Sequence, residues 1–309
     1  MPELSLFFWS FLVPALAAAA VLSLLWMMPV LRNRSFVQES AFGWALALGL
    51  FASYFSESGL PSFPPARSDV WIGLFALALV PLAPLMAWTS KKPFPWTELS
   101  AIALGASVAF LPLLASGDSF KPLFPSMAVA EHAVVAVLIA FGCIVLLSLQ
   151  NVRRGAALPL ALAMAFTAGS LTALASGWIS MAIYFGVVAA VSGAGMAYAL
   201  FAGAPVIGRG SVFVVAFLLV VLPSAAWYKT TPPEELHWWL WLLASGAPML
   251  LLLCENRFVN KCKPATALLL RGVVVAVPIV IVLFHVVPIL LGEAEGPTDD
   301  FGDMMKMYE

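Results

Sequence analysis

Residues 266–291 read TALLLRGVVVAVPIVIVLFHVVPILL, an apolar run in which only Arg271 and His285 can carry charge. A helix needs about 20 residues, at about 1.5 Å each, to cross the roughly 30 Å hydrocarbon core of a bilayer. This run is long enough and apolar enough to do so. Nine further segments read the same way: 6–31, 38–55, 70–88, 98–116, 128–149, 157–175, 178–201, 211–227 and 236–254. The second takes in Glu39 and Ser40 when stretched to full length, and the eighth is short unless Trp227 and Tyr228 lie among headgroups. The whole chain of 309 residues is 62% hydrophobic and 10% charged, against about 45–50% and 25% in soluble domains. Lipid must therefore cover it. Open strand edges would leave backbone groups unpaired in lipid, so the segments are expected to be helices. The expected fold is all-α: a polytopic integral membrane helical bundle of about ten transmembrane helices.

The first run is too long for a signal-peptide core. It is also charged the wrong way round, with Glu3 before it and Arg32 and Arg34 after it, so it is expected to remain as a span. Linkers such as Arg32-Asn33-Arg34, Lys91-Lys92-Pro93 and residues 151–155 are too short for a soluble domain. Residues 1–292 thus form one transmembrane domain, divisible into halves 1–150 and 156–292, followed by an acidic tail over 293–309. Five spans per half would make the halves inverted relative to one another, a common transporter plan, although no residue-level similarity links them. The Lys and Arg of alternate loops decide orientation. The odd-numbered loops, with Arg271 just inside the last helix, hold eleven basic residues, among them Arg153, Arg154, Arg257 and Lys261. The even-numbered loops and the tail hold four: Arg67, Lys121, Lys229 and Lys306. That imbalance puts the odd loops in the cytoplasm and both termini on the outer, periplasmic or extracellular side. All eleven tryptophans fall near expected helix ends, where amphipathic indoles favour the headgroup layer. A bacterial inner membrane is the expected location.

Charges inside a bilayer are costly and mark ion or proton paths. No Asp, Glu, Lys or Arg falls in the middle of a segment so drawn, which disfavours a pump working through a buried carboxylate. The three histidines are the sharpest feature. His132 opens the fifth segment beside Glu131, His237 opens the ninth, and His285 lies inside the tenth, all toward the outer face. Imidazoles there can ligate haem, hydrogen-bond a quinone or pass protons. The plainer reading, which the sequence favours, makes His132 and His237 ordinary interface residues and His285 a buried histidine bonded to a neighbouring helix. Because the three lie on separate helices, sequence does not say whether they meet.

The seventh segment is rich in small residues, with Gly186, Ala190 and Ala194 at four-residue spacing, which lets helices approach closely. Local unwinding at Ser192, Gly193 and Gly195 is the alternative, and Pro278 in the last segment is a kink that a moving helix could use. These four residues form the candidate substrate path. Cys143, Cys254 and Cys262 are odd in number and lack CxxC spacing, so they read as reduced. No metal site is expected. The tail over 293–309 carries six acidic side chains against Lys306, together with Phe301, Met304, Met305, Met307 and Tyr308. Its apolar part suits docking on a partner subunit.

There is no P-loop, HExxH pair or GxSxG elbow, which disfavours catalysis, and a membrane enzyme acting on lipid is the third and lowest reading because it lacks a candidate nucleophile or acid–base pair. A net charge of −1 gives no attraction for nucleic acid. Sparse charge, proline-bearing helices and a small-residue helix point to a permease-like protein moving a neutral, amphipathic or lipidic solute. The alternative is an integral subunit of a larger respiratory or redox complex, with the histidines forming an outer-face haem or quinone site.

Overall fold

The computed structural model describes residues 8–27, 35–61, 68–89, 128–152, 155–202, 207–229, 236–255, 259 and 261–291. Among the described residues every element is helical and there is no strand. A π-helical turn, Phe8–Leu12, leads into α1 (Val13–Met27). It is followed by α2 (Ser35–Ser58), α3 (Ser68–Thr89), α4 (Ala128–Val152), α5 (Ala157–Ala175), α6 (Ile179–Ala202) and α7 (Arg209–Lys229). Then α8 (Trp238–Gly246) tightens into a 3-10 stretch, Ala247–Cys254, and α9 (Pro264–Leu291) closes the bundle. Nine of the ten expected segments thus have helical counterparts, and the tenth, 98–116, lies outside the described residues, as does the tail.

Among the described residues, five helical stretches are long and apolar enough to cross a membrane: Val70–Trp88, Ala157–Ala175, Ile179–Phe201, Arg209–Trp227 and Pro264–Leu291. Trp9–Leu25, Ala133–Leu149 and Trp238–Cys254 are apolar but shorter. The chain is therefore a helical protein of membrane character. Ser192, Gly193 and Gly195 all lie within the unbroken α6, and Pro278 lies inside the unbroken α9.

The second segment is longer than 38–55, and α2 reaches Ser58, bringing both Glu39 and Glu57 into a helix. This helix is enclosed by protein. It packs on α1, α3, α6 and α7, with Phe42, Ala45, Leu46, Leu50 and Tyr54 buried. In the same way α7 packs on α2, α3 and α4 and touches α8, whereas α4 and α9 expose apolar side chains such as Val137, Phe141, Val280 and Phe284. Bare apolar faces on the rim and a sealed centre are what a bundle dissolved in lipid requires.

Close approach sets which helices cross. At one end of the bundle, a Cβ on Gly208 would run into the backbone of Glu39, and one on Gly210 into the Ala83 carbonyl. Here the Ser211 hydroxyl of α7 reaches α2. It accepts from the Gly43 N–H at 2.9 Å and donates to the Glu39 carbonyl at 3.0 Å. Those two groups are i→i−4 partners within α2, so a side chain of one helix bridges a rung of another. A second repair lies nearby. Pro84 has no N–H to offer the Val80 carbonyl, and the Trp44 indole donates to that carbonyl at 2.8 Å. Between α5 and α6 the chain reverses in three residues. Gly177 has φ +77°, Trp178 N–H donates to Ala173 O, and Gly177 N–H donates to Leu174 O. This 6→1 and 5→2 pair is the Schellman pattern, which favours glycine at the left-handed residue.

Candidate functional site

The opposite end of the bundle carries its polar groups between α2 and α6. Ser180 hydrogen-bonds to Oε1 of Glu57 across the two helices. One turn deeper the rings of Tyr54 and Tyr184 lie 6.4 Å apart. Deeper still the interface is apolar and tight, because a Cβ on Gly49 would stand 2.9 Å from Ala18 and 3.2 Å from Val187. Beside this ladder Ser53 donates to the Ser10 carbonyl, and Ser56 to the Ser53 carbonyl at 2.8 Å. The second oxygen of Glu57 is buried without a hydrogen-bond partner, and so is the indole nitrogen of Trp71 on α3. Hydrogen-bonding capacity buried and left open is expensive in a low-dielectric interior.

An aromatic path leads inward from the Tyr54–Tyr184 rung. Phe185, next to Tyr184, packs on Phe166 of α5 with ring centroids 6.2 Å apart, and stacks on Trp241 of α8 at 5.9 Å and 30°. These rings border a void among α5, α6, α7 and α8, lined also by Gly169, Leu219, Pro223, Ala244 and Ser245. About 10 Å³ is open to the centre of a water molecule, which is room for about one water. The Ser245 hydroxyl is engaged with the Trp241 carbonyl at 2.9 Å. By contrast the Trp241 indole nitrogen is buried and has no acceptor. Trp71 and Trp241 were expected among headgroups, but they are 6% and 3% exposed, so both indoles turn into the bundle.

Two of the three histidines contact the same indole. The His237 ring packs on Trp239 with centroids 6.3 Å apart, and the His285 ring meets the same indole edge-on at 5.0 Å. His285 also engages the Ile281 carbonyl through Nδ1 at 2.8 Å, within its own helix, leaving Nε2 on the far side of the ring. His237 is exposed at the start of α8. His132 belongs to α4, and its side chain lies outside the described part of the structure. Among the described residues no group of three His, Cys, Asp or Glu side chains is placed to hold a metal ion.

On the expected substrate path, Ser192 is buried and its hydroxyl donates to the Val188 carbonyl of its own helix at 2.8 Å. Gly193 borders open space, Gly195 is buried, and Pro278 is buried on α9. The close approach on α6 comes instead at Gly186, where a Cβ would stand 2.8 Å from the Phe11 ring. Far from the polar ladder, Arg271 lies 3.8 Å from Glu255 in an ion pair that ties α9 to the end of the 3-10 stretch. The residues missed by sequence are Glu57, Ser180, Tyr54, Tyr184, Phe185 and Trp241. One signal for them was available: Glu57 lies three residues after Tyr54, on the same face of a helix continued one turn further.

No family model, curated protein or solved structure matches this chain.

Proposed function

We propose that this chain is a permease-like integral membrane protein that moves a neutral, amphipathic or lipidic solute. In this reading it has about ten spans, both termini outward, in a bacterial inner membrane. The observation that supports it is the sequence of groups between the helices: a carboxyl with one oxygen lacking a partner at the bundle end, then tyrosines, then a small apolar void bordered by aromatic rings. A purely structural bundle gains by satisfying or deleting such groups, whereas a solute path keeps them open for its cargo. An apolar wall also suits the apolar part of an amphipathic molecule.

The test is flux. Protein reconstituted in liposomes should speed the crossing of a fluorophore-labelled monoacylglycerol, read as the loss of signal to a membrane-impermeant quencher. Ala244→Phe, which fills the void, should return the rate to that of protein-free vesicles. If wild-type protein gives no acceleration over empty vesicles, transport of this class is wrong.

A second reading rests on the pairing of His237 and His285 through Trp239. In it the chain is an integral subunit of a respiratory or redox complex, with haem or quinone near that patch and partner subunits bound through residues 293–309. Gently purified protein should then copurify with other subunits and show an oxidised-minus-reduced visible difference that His285→Ala removes. A flat spectrum from an intact preparation rules out the haem form, and recovery of the chain alone counts against the complex.

A further inference from the structure

Helix α9 turns a bare apolar stripe outward, on which Val277, Ile281, Phe284, Val287 and Leu291 are between 39% and 77% exposed. His285 is exposed with them, and from Val277 to Leu291 it is the one polar side chain. It stands six residues before the helix end at Leu291, about 9 Å along the axis. The helix is long and apolar enough to cross a bilayer, and an ionisable group within such a helix is costly and marks function. The ring itself says what it can bind. Nδ1 lies 2.8 Å from the Ile281 carbonyl, and a carbonyl only accepts, so Nδ1 carries the proton. In the neutral imidazole Nε2 is then a lone-pair acceptor. Among the described residues nothing donates to it. The ring's other neighbours are the Trp239 indole, edge-on at 5.0 Å, and the Phe284 ring at 5.9 Å. An acceptor left open in hydrocarbon is expensive.

We infer that this stripe binds a lipophilic phenol, a hydroquinone headgroup in the native case, whose O–H donates to Nε2 of His285. The lone pair requires a donor, which excludes the oxidised quinone, because its carbonyls only accept. The exposed apolar stripe requires a ligand that arrives through the bilayer. The distance from the helix end favours a donor on a lipid-soluble ring over one on a charged headgroup. Phe284 and Trp239 supply aromatic surface beside the imidazole, which suits an aromatic ligand. The inference rests on the redox-subunit reading for its purpose. It deepens that reading by choosing the quinone site over the haem, and the reduced form over the oxidised one.

The experiment uses the full chain with isotopically labelled histidine in nanodiscs of phosphatidylcholine, a lipid whose headgroup has no hydrogen-bond donor. Nitrogen NMR is recorded at about pH 8, where free imidazole is neutral. The chain has three histidines, so the His285 signals are identified by their loss in His285→Gln. Should that variant not fold, His132→Gln and His237→Gln identify them by elimination. In the free protein Nδ1 should be protonated and Nε2 bare. Added para-octylphenol should shift the Nε2 resonance to a hydrogen-bonded position, and para-octylanisole, its methyl ether, should leave it in place. Under argon, decylubiquinol should act as the phenol does and decylubiquinone as the ether does. The anisole should displace the phenol only at about fivefold higher concentration, as expected for one modest hydrogen bond. A proton on Nε2 overturns the inference, and so does a resonance that moves equally with phenol and anisole, or with neither. Haem bands that depend on His285 would also overturn it while leaving the redox-subunit reading standing. A phenol-shifted Nε2 in a chain that purifies alone would keep the site and sink that reading.

Discussion

Trp44 and Ser211 show how single side chains keep buried backbone satisfied. Each closes a gap on another helix: Trp44 at the carbonyl released by Pro84, Ser211 between the Glu39 carbonyl and the Gly43 N–H. Hydrogen bonds between membrane helices are worth about 0.6 kcal/mol on average and up to about 1.7, and a carbonyl left orphaned costs more than the mean bond. Trp44→Phe should therefore lower stability by about 1–2 kcal/mol, read as a shift in the midpoint of denaturant unfolding in detergent. A loss no larger than that of an exposed control, Trp238→Phe, would mean that the indole N–H contributes nothing. Ser211→Ala should cost about as much, and Ser211→Thr should recover part of it. Sequence could not show these bonds. A tryptophan and a serine in apolar segments read as an interfacial indole and a small packing residue until their neighbours are known.

Among the elements, the α5–α6 hairpin is the most locally determined. Its turn, Ser176-Gly177-Trp178, puts Gly177 at φ +77°, and a Cβ there meets no neighbour. Gly177→Ala thus isolates backbone strain from packing, and about 1–2 kcal/mol of destabilisation is expected. Limited proteolysis at the turn should rise with it, and an unchanged midpoint of thermal unfolding would contradict the left-handed conformation. A different substitution tests packing: Gly186→Leu would drive a side chain into Phe11 and should separate α6 from the π-helical turn, weakening detergent-extracted protein by more than Gly177→Ala does. These helices were legible because long apolar runs and Gly punctuation are local properties. The polar ladder was not. Glu57 falls one turn beyond the apolar part of α2, and its partner Ser180 lies far away in sequence, so hydropathy alone ended the helix too early.

At the scale of the whole molecule, apolar surface divides the helices into two groups. α4 and α9 present bare rims, while α2 and α7 are walled in by neighbours. Composition announced lipid as the solvent, but it could not rank the helices by enclosure, because a helix sealed in protein and one facing lipid are both apolar. The charge bias of the loops makes a topological prediction instead. Alkaline phosphatase fused after Glu309 should be active, as an outward carboxyl terminus requires, and a fusion in the loop at Arg153 and Arg154 should be inactive. The reverse pattern would invert the molecule.

One feature of α2 bears on how the protein is made. It contains Glu39 and Glu57 and, among the described residues, is not one of the five helices long and apolar enough to cross a membrane. Its polar rungs are closed by Ser180 and Ser211, residues synthesised long after α2 has left the ribosome. During translation, then, α2 is expected to wait beside the insertion machinery, or to lie flat at the interface, until α6 and α7 arrive to cover it. Nascent chains stopped before residue 180 should hold α2 in a protease-accessible state, and chains extended past residue 229 should protect it. Biogenesis of this bundle would thus be completed by its second half, with the least lipid-soluble helix admitted last to the position that it occupies at the centre.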